Sequence, residues 1–209
     1  MDAAPIIREA VEVLKNGGVI LYPTDTVWGI GCDATNEKAV ARIFEIKRRS
    51  EAKSLVLLAA DLDMVAKYVK QIPSIAIDLV EVNDAPMTII YPGAQYLAPN
   101  VVAEDGSVGI RIPLSPSFAG STGESPAKRT DLTAGAFCLE LVRRLRRPLV
   151  STSANISGEP TPASFAEISE AIRSAVDYVV PKPLGYGATG RSSQIIKLGL
   201  DGEVEILRA

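Results

Sequence analysis

The order of hydrophobic and polar positions predicts helices and short strands that alternate along the chain. Apolar residues recur at helical spacing between positions 5 and 14, and Gly17-Gly18 ends that helix. The apolar run 19–22 that follows is typical of a short buried strand. By the same criteria, further helices are predicted over 36–47, just after 61, over 74–82, 136–146 and 164–175, and further strands over 54–58, 87–91, 107–112, 149–150, 178–180, 194–198 and 204–207.

Helices and strands are interspersed, and no linker separates two cores. The sequence therefore predicts a single α/β domain over residues 1–209 with a partly antiparallel sheet. The stretch 115–135 is rich in Ser, Pro, Gly and Thr and lacks periodicity, which predicts a long loop inserted into the domain. The stretch 151–161 is predicted to be a second loop of small polar residues.

Composition favours a globular protein and excludes several kinds of catalysis. The 209 residues are 47% hydrophobic, and 22 Lys and Arg against 25 Asp and Glu give a net charge of −3. No apolar run approaches the ~20 residues of a membrane span, and no signal-peptide pattern opens the chain, so neither is expected. The two cysteines lack metal-site spacing and suit a reducing cytoplasm. Because histidine is absent, Ser-His-Asp and Cys-His catalysis are excluded.

The first candidate site is the polar segment 22–26, which follows the first predicted strand. It contains Thr24, Asp25 and Thr26. Hydroxyls and backbone amides at the end of a buried strand can bind a small polar ligand, because α/β proteins often place ligands there. The alternative interpretation is a Ser/Thr turn that merely reverses the chain.

The second candidate site is a group of four cations within seven residues: Lys47, Arg48, Arg49 and Lys53. Such a group suits a polyphosphate, since Arg binds oxygen atoms bidentately and Lys acts as a point charge. The alternative is a solvated helix C-terminus, where cations complement the helix dipole. Glu45 and Glu51 would then neutralise part of the group.

The third candidate site is the segment STSANISG at 151–158, which follows an apolar strand. Loops dense in hydroxyls and backbone N–H groups bind phosphates, although an ordinary Ser/Asn-rich turn is an equal alternative. Neither the P-loop pattern nor the Rossmann glycine pattern occurs in the chain. The residues alone therefore predict a small α/β protein that binds an anionic, nucleotide-like ligand.

Three segments keep a characteristic order and spacing: YPTDTVWG at 22–29, Lys47-x-Arg49, and STSANISG at 151–158. Together with APMT at 85–88, GIRIP at 109–113 and GRSSQI at 190–195, they resemble the threonylcarbamoyl-AMP synthase (YrdC-like) family. The resemblance extends from about residue 5 to residue 208. It implies a twisted mixed, largely antiparallel sheet with surrounding helices and a concave basic cleft, in the family's short single-domain form.

The resemblance implies an activity, substrates and partners. The implied enzyme is a nucleotidyltransferase that makes threonylcarbamoyl-AMP and pyrophosphate from L-threonine, bicarbonate and ATP. The product serves N6-threonylcarbamoyladenosine formation at tRNA position 37 through a separate transferase complex. Contact with tRNA or double-stranded RNA is a further expectation. Mg²⁺ would arrive with the triphosphate, since this ion is usually coordinated by substrate phosphates and water.

The resemblance also implies the residues of the site. It places threonine against Thr26, Arg111, Ser151 and Ser192, with Arg111 on the carboxylate. It places ATP against Lys47, Arg49, Lys53, Ser107, Ser153, Asn155, Thr161 and Arg208, and it makes Lys47 and Arg49 the catalytic cations. No side chain is assigned to a metal or to a general base.

The chain departs from the family pattern at four of these motif positions. Ser54 replaces a usual Pro, Trp28 a usual Tyr, Leu58 a frequent His, and Arg191 the Glu of a Glu-Ser-Thr segment. The last change reverses a charge at the C-terminal edge of the expected site.

Two other functions remain as alternatives. One is an RNA-binding protein that uses the same basic cleft without adenylating activity. The net charge of −3 argues against wide phosphate contact, but a local patch would suffice. The other is a carbamoyl-transfer module like that of hydrogenase-maturation proteins, whose zinc-finger-like and acylphosphatase-like parts this chain does not show.

Overall fold

The structure, a computed structural model, describes residues 3–50, 55–114, 132–181 and 187–209. The helices are α1 (Ala3–Lys15), α2 (Glu37–Lys47), α3 (Leu62–Tyr68), α4 (Ser74–Val82), α5 (Ala134–Leu145) and α6 (Glu170–Arg173). The strands are β1 (Ile20–Tyr22), β2 (Gly29–Gly31), β3 (Val56–Leu58), β4 (Met87–Tyr91), β5 (Val108–Arg111), β6 (Leu149–Ser153), β7 (Tyr178–Val179), β8 (Gln194–Leu198) and β9 (Val204–Arg208). None of the described helices is both long and apolar enough to cross a membrane.

The strands form one sheet in the order β7-β1-β2-β6-β3-β5-β4-β8-β9. Among the described strands, five of the eight pairings are antiparallel, and β1–β7, β3–β5 and β4–β8 are parallel. The sheet is therefore mixed and largely antiparallel, which confirms the expected fold class.

Successive strand residues point to opposite faces of the sheet, and each face has its own apolar core. Leu21, Leu57 and Val150 pack with helices α2, α3 and α4 on one face. Their neighbours Tyr22, Leu58 and Leu149 pack with helices α1 and α5 on the other face. The alternation of apolar side chains along these short strands thus sandwiches the sheet between two helical layers.

The layer formed by α1 and α5 covers only part of its face of the sheet. Leu149 of β6 and Leu58 of β3 are paired and lie under these helices. Farther along β6, the next two residues on the same face are Ser151 and Ser153, so the side chains on this face change from apolar to polar. Arg111 of β5 pairs with Leu58 and shares this face. Where the helical layer ends, the sheet therefore presents polar side chains.

Several predicted elements are confirmed, some of them to the residue. Asn36 is the N-cap of α2, and its side-chain oxygen accepts the Ala39 N–H at 3.1 Å. Asp61 caps α3 in the same way. The bounds of α4 and β4 agree with the predicted ranges 74–82 and 87–91.

The prediction of one helix over 164–175 is wrong. The chain forms a 3₁₀ turn at Phe165–Glu167 and then the short helix α6. Ile168 between them has the extended angles φ −67° and ψ 124°, and Ser169 then caps α6 by accepting the Ile172 N–H. A serine that bonds to the backbone starts a new helix here instead of continuing the old one.

The prediction that the polar loop begins at residue 151 is also wrong, and strand β2 was missed. Strand β6 continues to Ser153 because Ser151 pairs with Val56 and Ser153 with Gly29. Its serines face the cleft, so the pairing continues where the apolar pattern stops. Strand β2 was obscured by its two glycines. Gly31 is required by close approach, since a Cβ there would lie 2.2 Å from the Val150 carbonyl oxygen.

The predicted loop over 115–135 is too long at its C-terminal end. Thr133 caps α5 by accepting the Ala136 N–H at 3.2 Å, so Ala134 and Gly135 belong to the helix. The stretch 115–131 lies outside the described residues, and the insertion stays a prediction there. Leu114 and Gly135, which lie on either side of this stretch in sequence, are in close contact: a Cβ on Gly135 would lie 1.8 Å from the Leu114 carbonyl oxygen.

Candidate active site

A cleft of about 240 Å³ opens on the sheet face that α1 and α5 leave uncovered. It is lined by Thr24, Thr26, Val27, Gly29, Arg49, Leu55, Val56, Arg111, Ser151, Thr152, Ser153, Ser192, Ser193, Ile195 and Arg208. The charged members of this lining are three arginines, and the polar remainder is hydroxyl-bearing. Such a surface suits an anionic ligand with several hydrogen-bond acceptors.

One wall is the turn after β1, in which the Thr24 side chain organises its neighbours. The Thr24 Oγ1 donates to the Val27 carbonyl oxygen at 2.7 Å and accepts the Thr26 N–H at 3.1 Å. Because its one proton is used in this way, the Thr26 hydroxyl donates to Thr24 Oγ1 at 2.8 Å. The predicted Ser/Thr turn therefore exists, and it presents the Thr26 hydroxyl to the cleft.

The floor of the cleft contains a buried ion pair between Arg111 and Asp25, whose side chains are 4% and 5% exposed. The Arg111 Nη1 donates to Asp25 Oδ1, and its Nη2 lies 3.5 Å from Thr26 Oγ1. The other carboxylate oxygen of Asp25 accepts the Leu114 N–H at 3.1 Å. Desolvated charges require such compensation. The Arg111 guanidinium is therefore fixed in position.

The phenol and the thiol beneath this turn are poor candidates for a base. Burial is the main cause that raises the pKa of Tyr22 and that of Cys138 well above their ordinary values. Both groups therefore stay protonated near neutral pH. The Cys138 Sγ donates to the Pro23 carbonyl oxygen at 3.4 Å and so supports the turn from below.

The opposite wall carries Ser192 and Ser193 and is tied to the threonine turn. The Thr189 N–H donates to the Asp25 carbonyl oxygen at 2.9 Å, and the Gly190 N–H donates to that of Thr26 at 2.8 Å. Below them, Ser193 Oγ and the buried Thr88 Oγ1 form a hydrogen bond of 2.8 Å. These contacts bring a segment distant in sequence to the side of the cleft formed by the Thr24–Thr26 turn.

Arg49 and Arg208 supply positive charge at the remaining sides of the cleft. Burial lowers the pKa of each guanidinium below its ordinary value, although both remain charged at neutral pH. The Arg208 Nε donates to the Ser193 carbonyl oxygen at 2.8 Å, which anchors the last strand to the serine wall. A partly desolvated arginine interacts more strongly with phosphate oxygens than a fully solvated one.

Lys47 lies behind the cleft wall and is 2% exposed. Its Nζ donates to the carbonyl oxygens of Ser153 and, at 2.8 Å, of Asn155. The Ser157 N–H donates to the Lys47 carbonyl oxygen at 2.8 Å. Burial, and secondarily the charge of Arg49, lowers the pKa of Lys47 to about 8. Lys47 thus ties the segment 151–158 to the end of α2.

The structure gathers most of the predicted site residues but not all of them. All four predicted threonine ligands line the cleft, as do the predicted ATP ligands Arg49, Ser153 and Arg208. Four other predicted ATP ligands, Lys47, Ser107, Asn155 and Thr161, are not part of that lining. Ser107 Oγ donates to Asp105, and the Asn155 amide donates to the Ile156 and Glu159 carbonyl oxygens. Lys53 lies outside the described residues.

Sequence reasoning missed the interactions by which four side chains build the site. Asp25 was noted in its segment but given no role, although it is the counter-ion of Arg111. Thr24 organises the turn, and the pair of Thr88 and Ser193 supports the serine wall. Each sits next to, or within, a motif segment quoted above. The signal was therefore present, but a local pattern cannot reveal an interaction partner far along the chain.

Comparison with known proteins now places the chain in a family. A family model for Sua5, YciO and YrdC proteins, described as "Telomere recombination", matches residues 12–119 and 131–209. The chain belongs to this family. The threonylcarbamoyl-AMP synthase of Xanthomonas campestris pv. campestris (strain B100) is 32% identical over 188 residues, which are 88% of this chain and 90% of that protein. The threonylcarbamoyl-AMP synthase of Pseudoalteromonas translucida (strain TAC 125) is 33% identical over 207 residues, 98% of each chain.

Solved structures of the Sua5/YciO/YrdC family share the fold. A double variant of P. abyssi Sua5 superposes with a TM-score of 0.78 at 26% identity, over 97% of this chain and 55% of that one. P. abyssi Sua5 complexed with L-threonine gives 0.75 at 26% identity, over 92% and 50%. This chain thus spans about half the length of P. abyssi Sua5. E. coli YciO, at 23% identity and a TM-score of 0.71, covers 98% of this chain and 88% of its own, and agrees in fold.

Proposed function

We propose that this chain makes threonylcarbamoyl-AMP and pyrophosphate from L-threonine, bicarbonate and ATP. The observation that carries the proposal is the cleft, in which Arg111 lies among the hydroxyls of Thr26, Ser151 and Ser192, with Arg49 and Arg208 beside them. The two curated relatives described above are named for this activity, and each aligns with most of this chain. Neither relative is named as an RNA-binding protein.

The amino acid belongs on the Arg111 side of the cleft. A guanidinium binds a carboxylate through two parallel N–H donors, and neutral hydroxyls suit the remaining polar atoms of threonine. Thr26 and Arg111 are held in place by buried hydrogen bonds before any ligand binds. The related P. abyssi Sua5 has been observed in complex with L-threonine, which supports an amino-acid subsite in this fold.

The triphosphate belongs near Arg49, Ser153 and Arg208, which line the same cleft. Lys47 contributes from behind by holding the carbonyl groups of Ser153 and Asn155. Mg²⁺ would be bound by triphosphate oxygens and water, since no carboxylate belongs to the described cleft lining. Lys53, Ser107, Asn155 and Thr161 remain proposed ATP contacts.

The reaction requires positioning and neutralisation of charge. The threonine amine forms a C–N bond with bicarbonate, and water leaves. An oxygen of the resulting carbamate then attacks the α-phosphorus, and the bond from that phosphorus to the bridging oxygen breaks to release pyrophosphate. Negative charge accumulates around the α-phosphate, where fixed arginines stabilise it without reorganisation. We assign this role to Arg49, with Lys47 as the cation that fixes the adjoining loop.

The product places the protein upstream of tRNA modification. The carbamate–phosphate mixed anhydride is an activated carbamoyl donor, suited to transfer of the threonylcarbamoyl group. We propose a tRNA threonylcarbamoyl transferase complex as the consumer, acting at position 37 of tRNA, and a cytoplasmic location for both steps.

To test this proposal, the protein is incubated with ATP, bicarbonate and L-threonine. Pyrophosphate release is measured, and threonylcarbamoyl-AMP is detected by mass spectrometry. Pyrophosphate formation that requires both threonine and bicarbonate is the expected result. L-Alanine, which lacks the hydroxyl and the methyl group of threonine, serves as the control substrate. Pyrophosphate release that ignores threonine, or salt-dependent RNA binding without any release, would contradict the proposed function.

A further inference from the structure

Asp25 has a defined place in the cleft floor but no role in the chemistry described so far. Its Oδ1 accepts a hydrogen bond from Arg111 Nη1, and its Oδ2 accepts the Leu114 N–H at 3.1 Å. Both oxygens are therefore engaged, and the side chain is 5% exposed. A carboxylate in this situation is neither a free base nor an open ligand for a cation. Any effect of Asp25 on a ligand would be exerted through Arg111.

The geometry of the pair determines which edge of the guanidinium faces the ligand. Asp25 holds Nη1, whereas Nη2 lies 3.5 Å from Thr26 Oγ1. Arg111 and Thr26 both line the cleft. The guanidinium is thus presented as a directional donor for a carboxylate, and Thr26 Oγ1, whose proton goes to Thr24, is presented beside it as an acceptor for the ammonium or hydroxyl of the same ligand.

The electrostatics of the pair differ from those of a lone arginine. A buried cation beside its counter-ion acts on more distant charges as a dipole, whose field falls off faster than that of a single charge. Its N–H groups nevertheless still donate directional hydrogen bonds at short range. Such a site keeps its geometry for a carboxylate while it loses the general attraction for anions.

This distinction matters because the cleft must hold two kinds of ligand side by side. Threonine is a zwitterion without net charge, whereas triphosphate and pyrophosphate carry several negative charges. An arginine with uncompensated charge would attract phosphate groups into the amino-acid subsite. A neutralised arginine favours the zwitterion, because its recognition depends on orientation.

We propose that Asp25 makes the Arg111 subsite selective for a zwitterionic amino acid over phosphate anions. The inference rests on the proposed function, since it assumes that threonine occupies this subsite. Asp25 is a positioning and specificity residue, which acts through the orientation and charge of Arg111.

The test compares the wild type with Asp25→Asn by calorimetric titration of L-threonine, with and without inorganic phosphate. Trp28, the single tryptophan of the chain, lies between two cleft-lining residues and gives a second, fluorescent signal. In Asp25→Asn the dissociation constant for threonine is expected to rise about tenfold, because a charge-assisted contact that orients Arg111 is lost. Inorganic phosphate should then compete with threonine, while the wild type resists it and ATP affinity is kept.

Glu140→Gln is the matched control, because it removes one carboxylate from an exposed ion pair with Arg144 on α5. It should change neither threonine binding nor the response to phosphate. A double variant separates positioning from general damage. Once Arg111→Gln has removed the guanidinium, adding Asp25→Asn should not weaken threonine binding further.

The proposal is overturned if folded Asp25→Asn binds threonine as the wild type does and phosphate still fails to compete. If that variant does not fold, Asp25→Glu decides, since it keeps the charge but displaces it by one methylene. Wild-type threonine affinity and wild-type phosphate resistance in Asp25→Glu would overturn the proposal, and a loss of either would support it. Failure of the wild type itself to bind threonine would instead contradict the proposed function.

Discussion

Two buried cations, Arg111 and Lys47, stabilise two parts of the cleft in different ways. Arg111 is 4% exposed and pairs with the carboxylate of Asp25. Lys47 is equally buried, but its Nζ donates to the carbonyl oxygens of Ser153 and Asn155. Among the described residues, no carboxylate lies within ion-pair distance of Lys47. One cation is balanced by a full charge and the other by dipoles alone.

The difference determines how each side of the cleft responds to its surroundings. A guanidinium stays charged at every accessible pH, and its counter-ion offsets part of the cost of burying it. The Lys47 ammonium has no such partner among the described residues, and burial lowers its pKa to about 8. The charge on the Arg111 side of the cleft is therefore constant, whereas the segment 151–158 is held by a lysine whose pKa is lowered to about 8.

The largest expected effect comes from breaking the balanced pair. Arg111→Ala leaves the Asp25 carboxylate buried and unpaired, and should lower the free energy of unfolding by about 3–5 kcal/mol. Arg111→Lys keeps a charge and should retain more of that stability. It should still raise the KM for threonine, because a point charge replaces a planar fork.

Chemical denaturation and separate threonine and ATP titrations measure these effects. Arg144→Ala, which breaks an exposed pair with Glu140, is the control and should change stability by less than about 1 kcal/mol. A threonine titration of Arg111→Lys that matches the wild type would disprove the assignment of Arg111 to the carboxylate.

The unbalanced cation should make stability depend on pH. The pKa of Lys47 is about 8 in the folded protein, against 10.5 for an ordinary lysine, so the unfolded chain binds more protons between these values. The free energy of unfolding should therefore rise with pH from about 8 toward 10.5, by up to about 3 kcal/mol over the full range. In Lys47→Met this rise in the free energy of unfolding with pH should be absent.

Urea titrations at pH 7.5, 8.5 and 9.5 measure the difference between wild type and Lys47→Met. Working below pH 10 avoids the ordinary titration range of tyrosine. If the two proteins show parallel profiles, Lys47 is not the titrating group, and the contrast with Arg111 fails.

Substitution of Arg49 tests whether ATP binding depends on a positive charge that lines the cleft. Arg49→Ala removes a lining guanidinium and should raise the KM for ATP about 10- to 100-fold, the equivalent of one charge-assisted contact. The threonine KM should change little, since Arg111 and Thr26 are untouched. Arg48→Ala, the exposed neighbour, is the matched control. Equal ATP dependence in both variants would remove Arg49 from the nucleotide site.

The smallest effect distinguishes two roles of Lys47. If its ammonium contacts a phosphate, bound ATP raises the pKa of Lys47, and at pH 8 the protein should take up about half a proton. If Lys47 only anchors the loop, uptake should be close to zero. Calorimetric ATP titrations in buffers of different ionisation enthalpy measure the number of protons taken up for each ATP bound. Identical uptake by Lys47→Met would show that another group is responsible.

Local chemistry explains which elements could be predicted from the sequence. Asn36 and Asp61 cap their helices because a side-chain oxygen reaches an N–H three residues ahead. The same local logic correctly predicted α4 and β4. It failed at strand β6, where serines face a cleft while the backbone still pairs with β2 and β3. It also failed at residues 164–175, where Ser169 starts a new helix.

The sequence by itself determined the alternation of elements, the fold class, the family and the three polar segments that form the cleft. These follow from periodicity, capping and motifs, which involve residues near one another in the chain. Only the tertiary structure decided how the charges are balanced. The pair of Asp25 with Arg111 spans 86 positions, and the bond from Lys47 to Ser153 spans 106. Whether a buried cation meets a carboxylate or a carbonyl depends on sheet order and register, and so lies beyond any local pattern.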